Sequence, residues 1–125
     1  MKRGVLFLLL CSFLACVPEN KSISPITLGE LDSLFQKDAL IQLVDVRTKE
    51  EFQEGHIPNA LLIDVKQDNF LKRAKEKLDK QKPIYLYCRS GVRSAKAAKK
   101  LIESNEFGKV YCLAGGYLAW SQKQK

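Results

Sequence analysis

At 125 residues the chain has room for one domain, large enough to fold around a core without disulfide staples. Its formal net charge of +7 comes mainly from lysines at 72, 75, 77, 80, 82, 96, 99 and 100, which are mixed with Glu76, Asp79 and Glu103. Without basic residues interleaved with aromatics on one face, this is not a nucleic-acid surface; attraction of small anions or of a bilayer is the milder consequence. The four cysteines show neither the spacing of a zinc site nor a disulfide framework, so no metal is expected.

The chain starts with the basic Met1-Lys2-Arg3, runs apolar from Val5 to Leu10, and reaches small residues at Phe13-Leu14-Ala15-Cys16. That layout predicts an export signal over residues 1–15. The apolar stretch is well short of the ~20 residues that span a bilayer. Leu14-Ala15-Cys16 resembles a bacterial lipobox, with Phe13 where leucine is usual. The resemblance implies lipidation of Cys16 and an exported, membrane-anchored protein facing the periplasm or cell exterior. Ordinary secretion and an uncleaved anchor are the alternatives. Cys11, preceded by bulky Leu10, is a weaker lipidation candidate. Residues 16–25 are polar and read as a tether.

From residue 26 to residue 122 the pattern is that of a folded domain. Thr27 and Glu30 form a capping box ahead of Leu28, Leu31, Leu34 and Phe35, the apolar face of a short helix. Ile41 to Val46 is a buried strand ending in Asp45-Val46-Arg47. Thr48 and Glu51 form a second capping box, opening a helix that stops at Gly55. A turn from His56 to Ala60 leads to a strand over Leu61 to Val65. Phe70, Leu71, Ala74 and Leu78 mark an amphipathic helix before Pro83. A strand over Ile84 to Tyr87, a helix over Ser94 to Glu103, a strand over Val110 to Leu113 and a closing helix over Gly115 to Ser121 complete the chain. Strands alternating with helices predict an α/β fold, a mostly parallel sheet covered on both faces. Ligands of such sheets bind beyond the carboxyl ends of the strands, where Cys88 falls.

Cys88 ends an apolar strand and is followed by Arg89-Ser90-Gly91-Val92-Arg93-Ser94, a small basic turn entering a helix. Converging backbone N–H groups and a helix N-terminus there stabilise a thiolate, so the thiol pKa is expected to fall from about 8.5 toward roughly 3.5–7.5. The same cradle suits a bound anion or a persulfide. Arg93 is expected to face the substrate, the alternative being an ion pair with an acidic residue that shapes the loop. Arg89 offers either its side chain or only its amide. Ser90 and Ser94 offer hydroxyls to sulfur, and Ser94 is equally a helix cap.

Three patches together resemble a single-domain rhodanese of the sulfurtransferase family. They are Asp45-Val46-Arg47 with Glu51-Phe52 and Gly55-His56-Ile57-Pro58-Asn59-Ala60, then Tyr87 to Ser94, then Leu113-Ala114-Gly115-Gly116 with Trp120. The family more often has glycine at the Asn59 place. The resemblance implies the rhodanese-like three-layer fold with a parallel five-stranded sheet. It also implies that the Cys88 thiolate takes sulfane sulfur from a donor such as thiosulfate and passes it, through a persulfide, to a thiophilic acceptor. Loop residues 89–94 would then bind the sulfur-containing anion and the persulfide, with no metal or organic cofactor required.

Two competitors stand beside this reading. One is a non-enzymatic module of the same fold that binds a partner or senses redox state. The other is a cysteine phosphatase or arsenate reductase, which places arginine six positions after its cysteine, where this chain has Ser94. Asp45 and Arg47 are expected to fix the strand end to a neighbouring loop rather than to catalyse. His56 is expected to tie its turn by hydrogen bonds, and Trp120 to lie in the core. Cys112 is a candidate partner for Cys88 only if their Cα atoms lie within about 7 Å.

Overall fold

In a computed structural model, residues 20–38 and 40–125 are described. The expected export signal and the candidate acylation site Cys16 lie outside them. The elements in chain order are β1 (Ser22–Ile26), α1 (Leu28–Lys37), β2 (Gln42–Asp45), α2 (Lys49–Glu54), β3 (Leu61–Leu62), α3 (Phe70–Lys77), β4 (Ile84–Tyr87), α4 (Val92–Glu103), β5 (Lys109–Leu113) and α5 (Gly116–Lys123). The strands form one sheet in the order β1-β5-β4-β2-β3. Every pairing is parallel, so all carboxyl ends share one edge.

Alternation along β4 divides the core between the two faces. Ile84, Leu86 and Cys88 pack with Ala97, Ala98 and Leu101 of α4 and with Phe70 and Ala74 of α3. Tyr85 and Tyr87 point the other way, into a cluster with Leu31 of α1 and with Tyr117 and Trp120 of α5. This is the two-sided covering expected of an α/β fold. Both capping boxes form, Thr27 with Glu30 and Thr48 with Glu51.

Several boundaries differ from the sequence reading. The tether expected over residues 16–25 cannot run to 25, because Ser22–Ile26 is an edge strand in register with Lys109–Leu113. Ser22 N donates to Gly108 O at 3.0 Å, and Ala114 N donates to Ile26 O at 2.9 Å. Even-numbered residues of β1 therefore turn their backbone groups toward β5. Pro25, which has no N–H, falls on the open side, where an edge strand tolerates it. The strand expected over Leu61 to Val65 shrinks to Leu61–Leu62, although Ile63 N and Val65 N still donate to Asp45 O and Val46 O. Helix α4 starts at Val92, two residues earlier than its sequence pattern suggests. Arg93 and Ser94 thus belong to its first turn, and the loop after Cys88 is only three residues long.

Candidate functional site

The strand β4 delivers Cys88 to the carboxyl edge of the sheet, and the chain turns at once through Arg89-Ser90-Gly91 into α4. Gly91 has φ +136°, a backbone region costly for residues with a Cβ. That conformation aims the Gly91 N–H at the Cys88 sulfur, 3.0 Å away. The Ser94 hydroxyl donates to Gly91 O at 3.0 Å, and its oxygen lies 3.7 Å from the same sulfur. Burial pushes the Cys88 thiol up, but the Ser94 amide and hydroxyl and the Gly91 and Ser90 amides outweigh it, leaving the thiol below its ordinary value. Of the amides expected to converge on the sulfur, the Gly91 N–H makes the hydrogen bond among the described residues.

Only 1% of Cys88 is exposed. Val92 is exposed and Ser94 fully buried. Arg89 and Ser90 are exposed, and the Arg89 guanidinium forms no ion pair among the described residues.

Arg93 requires a correction. Expected to face the substrate, it is engaged with Glu51 through both terminal nitrogens, Nη1 to Oε1 at 2.6 Å and Nη2 to Oε2 at 2.8 Å. This is the loop-shaping ion pair weighed against donor binding, and its bidentate form fixes the guanidinium plane. Hydrogen bonding to Arg93 holds the Glu51 carboxyl down at about 2. Glu51 also closes the capping box of α2 by accepting from Thr48 N at 3.3 Å. One carboxylate thus ties the β2–α2 corner to the β4–α4 loop. The capping pattern announced Glu51, but nothing local in the sequence announced this second partner.

Gly116 is the other residue whose part was not evident. At φ +56° it brings the first turn of α5 so close to the loop that a Cβ would stand 2.5 Å from Cys88 O and 2.6 Å from Arg89 O. That approach lets Tyr117 N donate to Cys88 O at 2.8 Å and Leu118 N to Arg89 O at 3.1 Å. The Gly115-Gly116 pair was the available signal, since paired glycines after a strand mark a close backbone approach.

Asp45 and Arg47 hold the fold, as expected. They are 0% and 3% exposed, and Arg47 Nη2 meets Asp45 Oδ2 at 2.7 Å and Gly55 O at 2.7 Å. The guanidinium lies over the Tyr117 ring at 4.2 Å, so α5 caps the buried pair. His56 stacks on Phe52, and its Nδ1 lies 2.9 Å from Phe52 O, the turn-tying role expected of it. Trp120 stacks against Tyr117. Asn59 has φ +67°, which gives a physical reason for the family's glycine there.

Cys112 pairs in register with Leu86, not with Cys88. Its thiol donates to Ser94 O at 3.6 Å, and both cysteines are free. Burial pushes the Cys112 thiol up, so of the two sulfurs only Cys88 sits where an anion is stabilised. No cluster of metal ligands occurs among the described residues.

The sequence model described as Rhodanese-like domain matches residues 27–123. The chain is 43% identical over 84 residues to the uncharacterized protein YqhL of Bacillus subtilis, covering 67% of this chain and 64%, just under two thirds, of that protein. It is 39% identical over 80 residues to the thiosulfate sulfurtransferase GlpE of Coxiella burnetii, covering 64% and 71%. Among solved structures, a rhodanese-like domain protein from Staphylococcus aureus superposes with a TM-score of 0.68 at 37% identity, over 78% of this chain and 90% of that one.

Proposed function

The chain belongs to the rhodanese-like domain family, and on that premise we propose that it is a sulfurtransferase working through a persulfide on Cys88. The Cys88 thiolate attacks the outer sulfur of a donor such as thiosulfate, and sulfite leaves with the electron pair of the broken S–S bond. A thiophilic acceptor then removes the outer sulfur and restores the thiolate. The Gly91 N–H at 3.0 Å from the sulfur is the observation that carries this reading. The same amide that stabilises the thiolate can stabilise the negative end of the persulfide. Arg89, exposed and without an ionic partner among the described residues, is the cation assigned to the anionic donor, while Arg93 holds the loop through Glu51.

A phosphatase or arsenate reductase reading has little support here. Ser94 stands at the position such enzymes need for arginine, and the guanidinium next to it is already engaged by Glu51. The burial of Cys88 favours, as a second reading, a non-enzymatic module of the same fold that binds a partner, since a redox-sensing thiol needs exposure.

Cys88→Ser is expected to abolish thiocyanate formation from thiosulfate and cyanide. Activity surviving that change would remove the nucleophile from the proposal. Export and acylation at Cys16 complete the proposal, supported by the basic start, the apolar run and the small residue before Cys16. Incorporation of labelled palmitate into the wild type but not into Cys16→Ser tests that part.

A further inference from the structure

The register fixes two opposite ends of the molecule. Ser22 lies opposite Lys109, and Gln42 opposite Ile84, so β1, β5, β2 and β4 all start along one line, the amino edge of the sheet. Cys88 lies beyond the other end of β4, roughly 13 Å away at the usual rise per residue. Residues 17–21 alone separate Cys16 from β1, a reach of about 20 Å at full extension. Lys21 is already on the amino edge, where its ammonium donates to Asn105 in the turn before β5.

Charge is sorted between the two edges. Helices α1 and α2 carry Glu30, Glu50 and Glu51 in their first turns, whereas α1, α3, α4 and α5 carry lysines in their last turns. The helix dipole favours each placement. Because the helices run back against the parallel strands, their basic ends collect at the amino edge. Lys37, Lys77, Lys82 and Lys109 are exposed there, and none forms an ion pair among the described residues. Of the carboxylates on this edge, Glu106 is engaged by Lys75 and Lys80. Asp38 and Asp79 each accept a backbone N–H, from Leu40 and Gln81. Among these groups stands Leu40, 82% exposed in the turn between α1 and β2. Free lysines around a projecting apolar side chain suit a surface of anionic headgroups over hydrocarbon.

We propose that the amino edge rests on an anionic bilayer, with Lys37, Lys77, Lys82 and Lys109 at the headgroups and Leu40 entering the acyl boundary. The Cys88 loop then faces away from the bilayer, toward water-soluble donors and acceptors. The placement rests on the proposed acylation of Cys16 for its anchor. The opposite edge also exposes an apolar residue, Val92 at 65%. Turning that edge to the bilayer would spend most of the reach of residues 17–21 on the height of the sheet itself.

The test reconstitutes the full chain in vesicles of phosphatidylglycerol and brominated phosphatidylcholine, whose bromines quench nearby indoles. Leu40→Trp and Val92→Trp are each compared with wild type, in which Trp120 is the only tryptophan and sets the background. The emission added at position 40 is expected to be quenched, and that added at position 92 is not. Quenching at 40 is expected to weaken in vesicles without phosphatidylglycerol. It should weaken again on adding Lys37→Gln, Lys77→Gln and Lys82→Gln, each lowering the surface affinity about fivefold. Quenching at 92, at both positions, or at neither, as for an edge that meets a protein instead, overturns the placement. Palmitate incorporation with quenching at 92 keeps the anchor and removes this face. Quenching at 40 in a chain that incorporates no palmitate keeps the face and removes the anchor.

Discussion

Single residues divide sharply into those the sequence makes legible and those it does not. Cys88 is legible because a strand, a glycine turn and a helix follow one another locally, and local order is enough to converge amides on one sulfur. Asp45 and Arg47 are legible because alternate residues at a strand end share a face, and they meet at 2.7 Å. Arg93 is not, because its partner Glu51 is 42 positions away and spacing says nothing of such pairs. The buried pair supports a direct prediction. Arg47→Ala leaves Asp45 buried without its partner and should cost about 3–5 kcal/mol in urea unfolding. The double variant Asp45→Ala/Arg47→Ala should lose less than the sum of the two single changes. A loss within half a kcal/mol or so for Arg47→Ala, the range of ordinary surface substitutions, would deny the pair its structural role.

At the scale of elements, patterning located the helices and the interior strands, and capping chemistry located the starts of α1 and α2. Edge strand β1 escaped because half of its evidence is tertiary. Ser22–Ile26 contains a proline and lacks a buried run, and only its pairing with Lys109–Leu113 makes it a strand. The start of α4 was misplaced for a related reason. The cap is Gly91, which offers no side-chain bond to announce it, while Ser94 looks like a cap and is instead buried beneath the loop. The direction of the β1 backbone groups carries a prediction. Ser24→Pro removes a donor that faces β5 and should cost about 1–3 kcal/mol. Ile23→Pro, at a position whose backbone nitrogen faces outward as that of Pro25 does, should cost less than half as much. Thermal unfolding of the two variants compares them, and the reverse order would contradict the register.

At the scale of the molecule, the parallel sheet gathers its five strand-to-helix loops on one edge, and the clasp between Glu51 and Arg93 joins two of them. The folded-state carboxyl of Glu51 is depressed to about 2. Its contribution is therefore fully present above the ordinary glutamate range and is lost as pH falls through that range toward 2. Wild type should lose more stability than Glu51→Gln between pH 5 and pH 2, measured as the shift in Tm; parallel curves would mean the clasp contributes nothing. The family and its α/β architecture were readable from motif order and alternation, whereas the Glu51–Arg93 clasp arises from elements brought together only by folding. The most direct test of the whole account is the intact mass of the protein before and after incubation with thiosulfate. The wild type should gain the mass of one sulfur atom, lose it to cyanide, and show no gain in Cys88→Ser. No gain in the wild type, or an equal gain in the variant, would contradict the assignment of a transferable sulfur to Cys88.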